Sequence, residues 1–195
     1  MPAPAATLVD RYLLAVERSA GAAAKALRTR GDLSRSGSAE AISAAAALLP
    51  AALARHRRKR EGSIDAVMDV LAKFGKPDTL ANPRLLQEVD ARAPAPSPRL
   101  GGLLGDEGPR LCAWLASRTH DPEAVLGRAL ALVAPMVLAA LAKAGTREEL
   151  AAWLDERSDA ELAEPQVLVA EAGFPADAFR RIRTRGFPWW SRMLS

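Results

Sequence analysis

At 195 residues the chain can bury one substantial core, or two small halves that pack on each other. Apolar residues make up 49% but aromatics only 5%, a balance rich in Ala and Leu that points to closely packed helices, and a net charge of +4 does not by itself demand nucleic acid. One cysteine and two histidines exclude a disulfide framework and an ordinary Cys/His zinc site within one chain.

The first residues carry neither a basic leader nor a long apolar run, which places the protein in the cytoplasm as an expectation. From Ala5 to about Leu27, Leu8, Tyr12, Leu13 and Val16 recur at helical spacing, with Asp10, Arg11, Glu17 and Arg18 on the other side. Gly21 is the weak point of that helix. Thr29 to Ser38 reads as a polar loop, and a largely apolar helix follows from Ser38 to Arg55 with Pro50 inside it. The run Arg55-His-Arg-Arg-Lys-Arg60 then falls where the dipole of that helix is negative, so its cations suit the helix end as well as a phosphate or an acidic partner. Gly62-Ser63 opens an amphipathic helix reaching Phe74.

Between Pro77 and Pro98 only a short apolar stretch around Leu85, Leu86 and Val89 breaks the polar character, and the proline run of residues 93–99 reads as a semi-rigid linker. The glycines of Leu100 to Arg110 lack a following Gly-Lys-Ser/Thr, and Asp106 and Glu107 would repel phosphate, so this is a turn and helix start. Cys112, between Leu111 and Trp114, is expected to be a plain buried thiol. The longest apolar segment runs from Asp121 to Lys143. Asp121 is placed to cap it, Pro122 suits its first position and Glu123 its positive end. Ala129 to Ala142 carries no charge, so the segment is expected to be a core helix buried on nearly every side rather than a membrane span. Thr146 and Glu149 form a capping box for the helix after Gly145.

The segments from Ser38 and from Asp121 share one plan, with a capping residue, an early glutamate, an apolar run, a proline (Pro50, Pro135) and a leucine three residues on (Leu53, Leu138). Counted from Gly62 and Gly145, Val67 matches Leu150 and Leu71 matches Leu154. This predicts an all-α, internally duplicated bundle whose halves pack on each other. Residues 35–92 and 100–157 form the repeats, 1–34 an N-terminal helix and loop, and 158–195 a C-terminal extension. Each mid-run proline deprives a carbonyl, Ala46 or Ala131, of its usual partner, so the helix must either kink there or stop and restart.

Leu103 to Arg118, Asp121 to Leu126 and Leu132 to Lys143, with Leu48 to Arg55 and Glu61 to Leu71 in the first half, resemble the bacterial DUF937 or YidB-like family over roughly residues 35 to 155. The resemblance implies an all-helical, duplicated cytoplasmic domain with no established catalytic residues to carry over. The chain departs from it in the charged run after Ala54, the proline-rich linker and the extension beyond Arg157.

Catalysis finds little support. Asp65 and Asp69 share a helix face, and Glu148 and Glu149 are adjacent, without a partner histidine or metal motif, and His120 beside Asp121 has no activated serine. No cofactor and no small-molecule substrate is expected. The extension gathers Phe174, Phe179, Phe187, Trp189 and Trp190 with Arg180, Arg181, Arg183, Arg185 and Arg192. Of these, Phe179, Arg180, Arg183, Arg185, Phe187, Trp189 and Trp190 are the candidate partner-binding set, for a protein, an anionic membrane surface or the chain's own bundle. Arg55, Arg57, Arg58, Lys59 and Arg60 are the candidates for contact with phosphate or an acidic partner, and the run contains no aromatic platform for stacked bases. The expected function is a non-enzymatic interaction or assembly protein that associates with itself or another protein, with electrostatic nucleic-acid binding and peripheral membrane binding as alternatives.

Overall fold

The alternation of apolar and charged faces resolves into six α-helices in a computed structural model that describes residues 7–30, 32–75 and 107–156. They are α1 (Leu8–Arg30), α2 (Arg35–Lys59), α3 (Ile64–Phe74), α4 (Glu107–Thr119), α5 (Glu123–Ala144) and α6 (Arg147–Asp155). Helix accounts for 87% of the described residues, which contain no strand, so the all-α expectation holds. The linker at 93–99 and the extension from 158 lie outside the described residues.

Helix α5 is the axis of the assembly. Every residue from Ala129 to Leu141 is buried except Pro135, which is half-buried, and the helix packs against α1, α2, α3 and α4. The absence of charge along this stretch is thereby explained, since any Lys or Glu there would lose its hydration without a partner. Helix α2 is similarly enclosed from Ala44 to Ala54, and alanines at Ala45, Ala46, Ala47, Ala51 and Ala52 let neighbouring backbones approach closely. One contiguous apolar core joins all six helices, including Leu8 and Val16, Leu49, Val67, Leu115, Val133 and Trp153.

Both proline-containing helices continue without interruption, so the chain does not stop and restart at Pro50 or Pro135. The carbonyl that Pro50 leaves without an amide finds another donor. The hydroxyl of Tyr12, itself fully buried, donates to the Ala46 carbonyl at 2.8 Å. Tyr12 also lies 5.7 Å, centroid to centroid, from the tilted ring of Trp153, so one α1 side chain joins α2 to α6.

Several local expectations are corrected. Helix α1, a single helix through Gly21 as expected, runs on to Arg30, and α2 begins at Arg35 rather than Ser38, so the loop between them is much shorter than Thr29 to Ser38. Ser34 is the N-cap of α2, accepting from the Gly37 amide at 2.9 Å. Asp121 does not cap α5: Pro122 stands at the N-cap without a side-chain bond. The Asp121 carboxylate instead reaches across the fold, where it accepts from the Ser34 amide at 2.9 Å and the Ser34 hydroxyl at 2.6 Å. A long-range partner wins because both donors are fixed in a partly buried joint, where a charged acceptor is worth more than at a solvated helix end. Gly37 makes room for it, since a Cβ there would lie 1.8 Å from Asp121 Oδ2.

The capping box at Thr146 and Glu149 forms as expected, with the Thr146 amide donating to Glu149 at 2.8 Å and the Glu149 amide donating to Thr146 at 3.3 Å. Val67, Leu71, Leu150 and Leu154 are all buried.

Candidate interaction surfaces

Helices α1 and α5 lie side by side and leave a groove of about 420 Å³ between them. Helix α1 contributes Leu14, Ala15, Arg18 and Ser19, positions spaced i, i+1, i+4, i+5 that share one flank. Helix α5 contributes Met136, Ala139, Ala140 and Lys143 at spacings of three and four. The floor is apolar and made mostly of short side chains. Leu14, at 46% exposed, is the one large hydrophobic exposed among the described residues. Arg18 on one wall and Lys143 on the other are exposed cations, and no acidic residue is among the described residues lining the groove.

Arg11 closes one end. Its Nε donates to the Ala144 carbonyl at the C-terminus of α5, and its Nη2 donates to both Glu149 oxygens at 2.7 and 2.8 Å. A cation on the last carbonyls of α5 complements the helix dipole. Gly145 lets this cluster close, because a Cβ there would lie 2.8 Å from Leu8 Cδ1 and 2.7 Å from Glu149 Oε2. The Thr146 amide and, to a lesser degree, the Arg11 guanidinium hold the Glu149 carboxyl below the ordinary carboxylate range.

The basic run divides into structural and exposed members. Arg57 is folded inward, its side chain 15% exposed, and donates to the carbonyls of Gly62 at 2.7 Å and Ala151 at 2.9 Å while pairing with Asp155 at 2.6 Å. It ties the end of α2 to α6. Arg55 is half-buried, and Arg58, Lys59 and Arg60 are exposed at the last turn of α2 and just beyond. Burial, and then the charges of Arg60 and Lys59, push the His56 imidazole below its ordinary 6.5. Spacing along the helix could have separated Arg57 from its neighbours only with knowledge of where α6 docks.

The other chemistry-bearing groups are dispersed over the fold. Cys112 is buried, and desolvation followed by the Glu123 charge pushes its thiol up to about 11. This matches the expectation of a plain buried thiol, because the reactive thiolate is scarce at neutral pH. Asp65 pairs with Arg147 at 2.6 Å across the surface between α3 and α6. His120 is exposed at the end of α4 with φ 62°, a turn-forming position. Among the described residues no group of three or more His, Cys, Asp or Glu is placed to hold a metal ion. The aromatic-arginine set at Phe179, Arg180, Arg183, Arg185, Phe187, Trp189 and Trp190 lies outside the described residues.

Helices α2 and α5 are long and apolar enough to cross a membrane by length and composition, and 83% and 72% of their most apolar windows are buried within the protein. Compared with known protein families, curated proteins and solved structures, the chain matches none.

The groove was missed in the sequence. Leu14 stands off the Leu8, Tyr12 and Val16 stripe that faces the core, and an apolar residue out of register on an amphipathic helix is the signal that could have marked it.

Proposed function

We propose that this chain is a non-enzymatic interaction or assembly protein that buries helix surface against a second copy or another protein. The α1–α5 groove carries the reading, because it joins an apolar floor to an exposed leucine on a molecule whose other described large apolar side chains are covered or partly covered. A cytoplasmic location and a place beside the DUF937 family belong to the same proposal. So does internal duplication, which is supported by the burial of the matched positions Val67, Leu150, Leu71 and Leu154. The helices also pack crosswise, α3 on α5 and α6 on α2.

The direct test of self-association is the molar mass of the full-length protein by light scattering across a concentration series, beside a Leu14→Asp variant. Mass that rises with concentration in the parent protein and stays monomeric in the variant supports association through the groove. A concentration-independent monomer in both removes self-association and confines the proposal to a different protein partner.

A further inference from the structure

The interaction reading leaves open what the groove recognises, and the present inference rests on that reading while adding the partner's chemistry. We infer that the α1–α5 groove takes an acidic amphipathic helix of a partner protein. Its walls are the flanks of two helices whose backbone groups are already bonded internally, so they offer an extended peptide no free edge to pair with. An incoming segment must therefore satisfy its own amides and carbonyls, as a helix does. The short side chains of Ala15, Ala139 and Ala140 let a partner backbone come close, and Leu14 supplies an apolar edge to cover.

Charge fixes the sign of the partner. Arg18 and Lys143 face the groove from opposite walls without an acidic residue in the described lining, whereas the charge of Arg11 is met by Glu149. A partner with an apolar stripe flanked by Asp or Glu on both sides meets a cation on each wall, and one flanked by Lys is repelled.

The test uses the full-length chain and three labelled peptides of about eighteen residues, long enough to form helix on binding. One has leucines at i, i+3, i+4 and i+7 with glutamates on both flanks, the second replaces every glutamate by lysine, and the third keeps the glutamates but replaces leucine by serine. Fluorescence anisotropy should show the first binding at least tenfold more tightly than either control, and weakening as salt rises. Leu14→Asp should reduce its binding tenfold or more. The double variant Arg18→Glu, Lys143→Glu should reverse the preference toward the lysine peptide, and circular dichroism should show both variants folded, since all three positions are exposed.

Equal binding of the acidic and basic peptides, or acidic binding that ignores both variants, would overturn the inference. So would binding of anionic vesicles through position 14 with the acidic peptide ignored, which would make the groove a lipid site. If the peptides fail while protein crosslinks still form from position 14, the acidic chemistry is wrong and the interaction reading stands. If both fail, both are wrong.

Discussion

Helices α2 and α5 share a sequence plan and meet different surroundings. In α2, Pro50 is buried, the carbonyl it orphans accepts the Tyr12 hydroxyl, and the start of the helix is held by Asp121 from the far half of the chain. In α5, Pro135 is only half-buried and the N-cap is a proline with no side-chain bond. The most apolar window of α2 is 83% buried and that of α5 is 72% buried. The half-buried members of α5, Val125, Gly127, Arg128 and Pro135, are not among those lining the groove, whose α5 residues Met136, Ala139 and Ala140 are buried at its floor. The lesson is that repeated patterns specify the same element but not the same neighbours.

The comparison breaks most visibly at the start of α2. Gly37→Ala drives a Cβ into Asp121 Oδ2, so either the helix shifts or the Ser34–Asp121 bonds are lost. Urea denaturation should show a loss of about 3 kcal/mol, from overpacking plus an unsatisfied buried carboxylate. A loss within about 0.5 kcal/mol, typical of ordinary surface changes, would mean the joint is not closed as described.

Tyr12→Phe comes next. It keeps the ring against Trp153 and removes only the donor to Ala46, leaving a buried carbonyl short of a partner at a cost of about 1–2 kcal/mol. The same denaturation curve measures it, and an unchanged midpoint would show that the carbonyl is satisfied some other way.

The two prolines give a sharper, smaller contrast. Replacing either by alanine restores an amide and relaxes the ring's pressure on the preceding turn. At Pro50 the change also removes two buried ring carbons, worth about 0.8 kcal/mol each. Pro135→Ala gives up the same two carbons from a half-buried site, so it should be more favourable than Pro50→Ala by about 0.8 kcal/mol, and equal effects would contradict the difference in burial.

Acid should act last and least. The His56 and Glu149 pKa values are both lowered by folding, so each favours the native state above its unfolded value and loses that contribution as pH falls through the folded one. The His56 contribution should begin to fade below about pH 6.5 and the Glu149 contribution below about 4.5, the latter loosening α6 and the Arg11 end of the groove. A pH titration of thermal stability in the parent protein and in Glu149→Gln separates them. A variant with the same slope below pH 4.5 would remove Glu149 from the account.

Much of the architecture was legible because it is local. The uncharged run of α5, the Thr146–Glu149 box and the orphaned carbonyl at Ala46 all follow from residues within a turn or two of one another. What the sequence concealed lies in pairings across the chain. Asp121 has the chemistry of a cap for its own helix and spends it on Ser34, 87 positions away. Arg57 looks like one cation in a solvated run until Asp155 and the Ala151 carbonyl are brought beside it. Leu14 looks like one more apolar residue of an amphipathic helix until the packing of α1 on its neighbours leaves it uncovered.

The central claim is that the α1–α5 groove is a protein-interaction site, and the most direct measurement is photo-crosslinking in the protein's own cells from a reactive residue placed at Leu14, beside a control at exposed Lys25. The account predicts a discrete crosslinked species containing a second protein or a second copy from position 14, suppressed by Arg18→Glu with Lys143→Glu and absent from position 25. Crosslinking from position 14 no greater than from position 25 would contradict it.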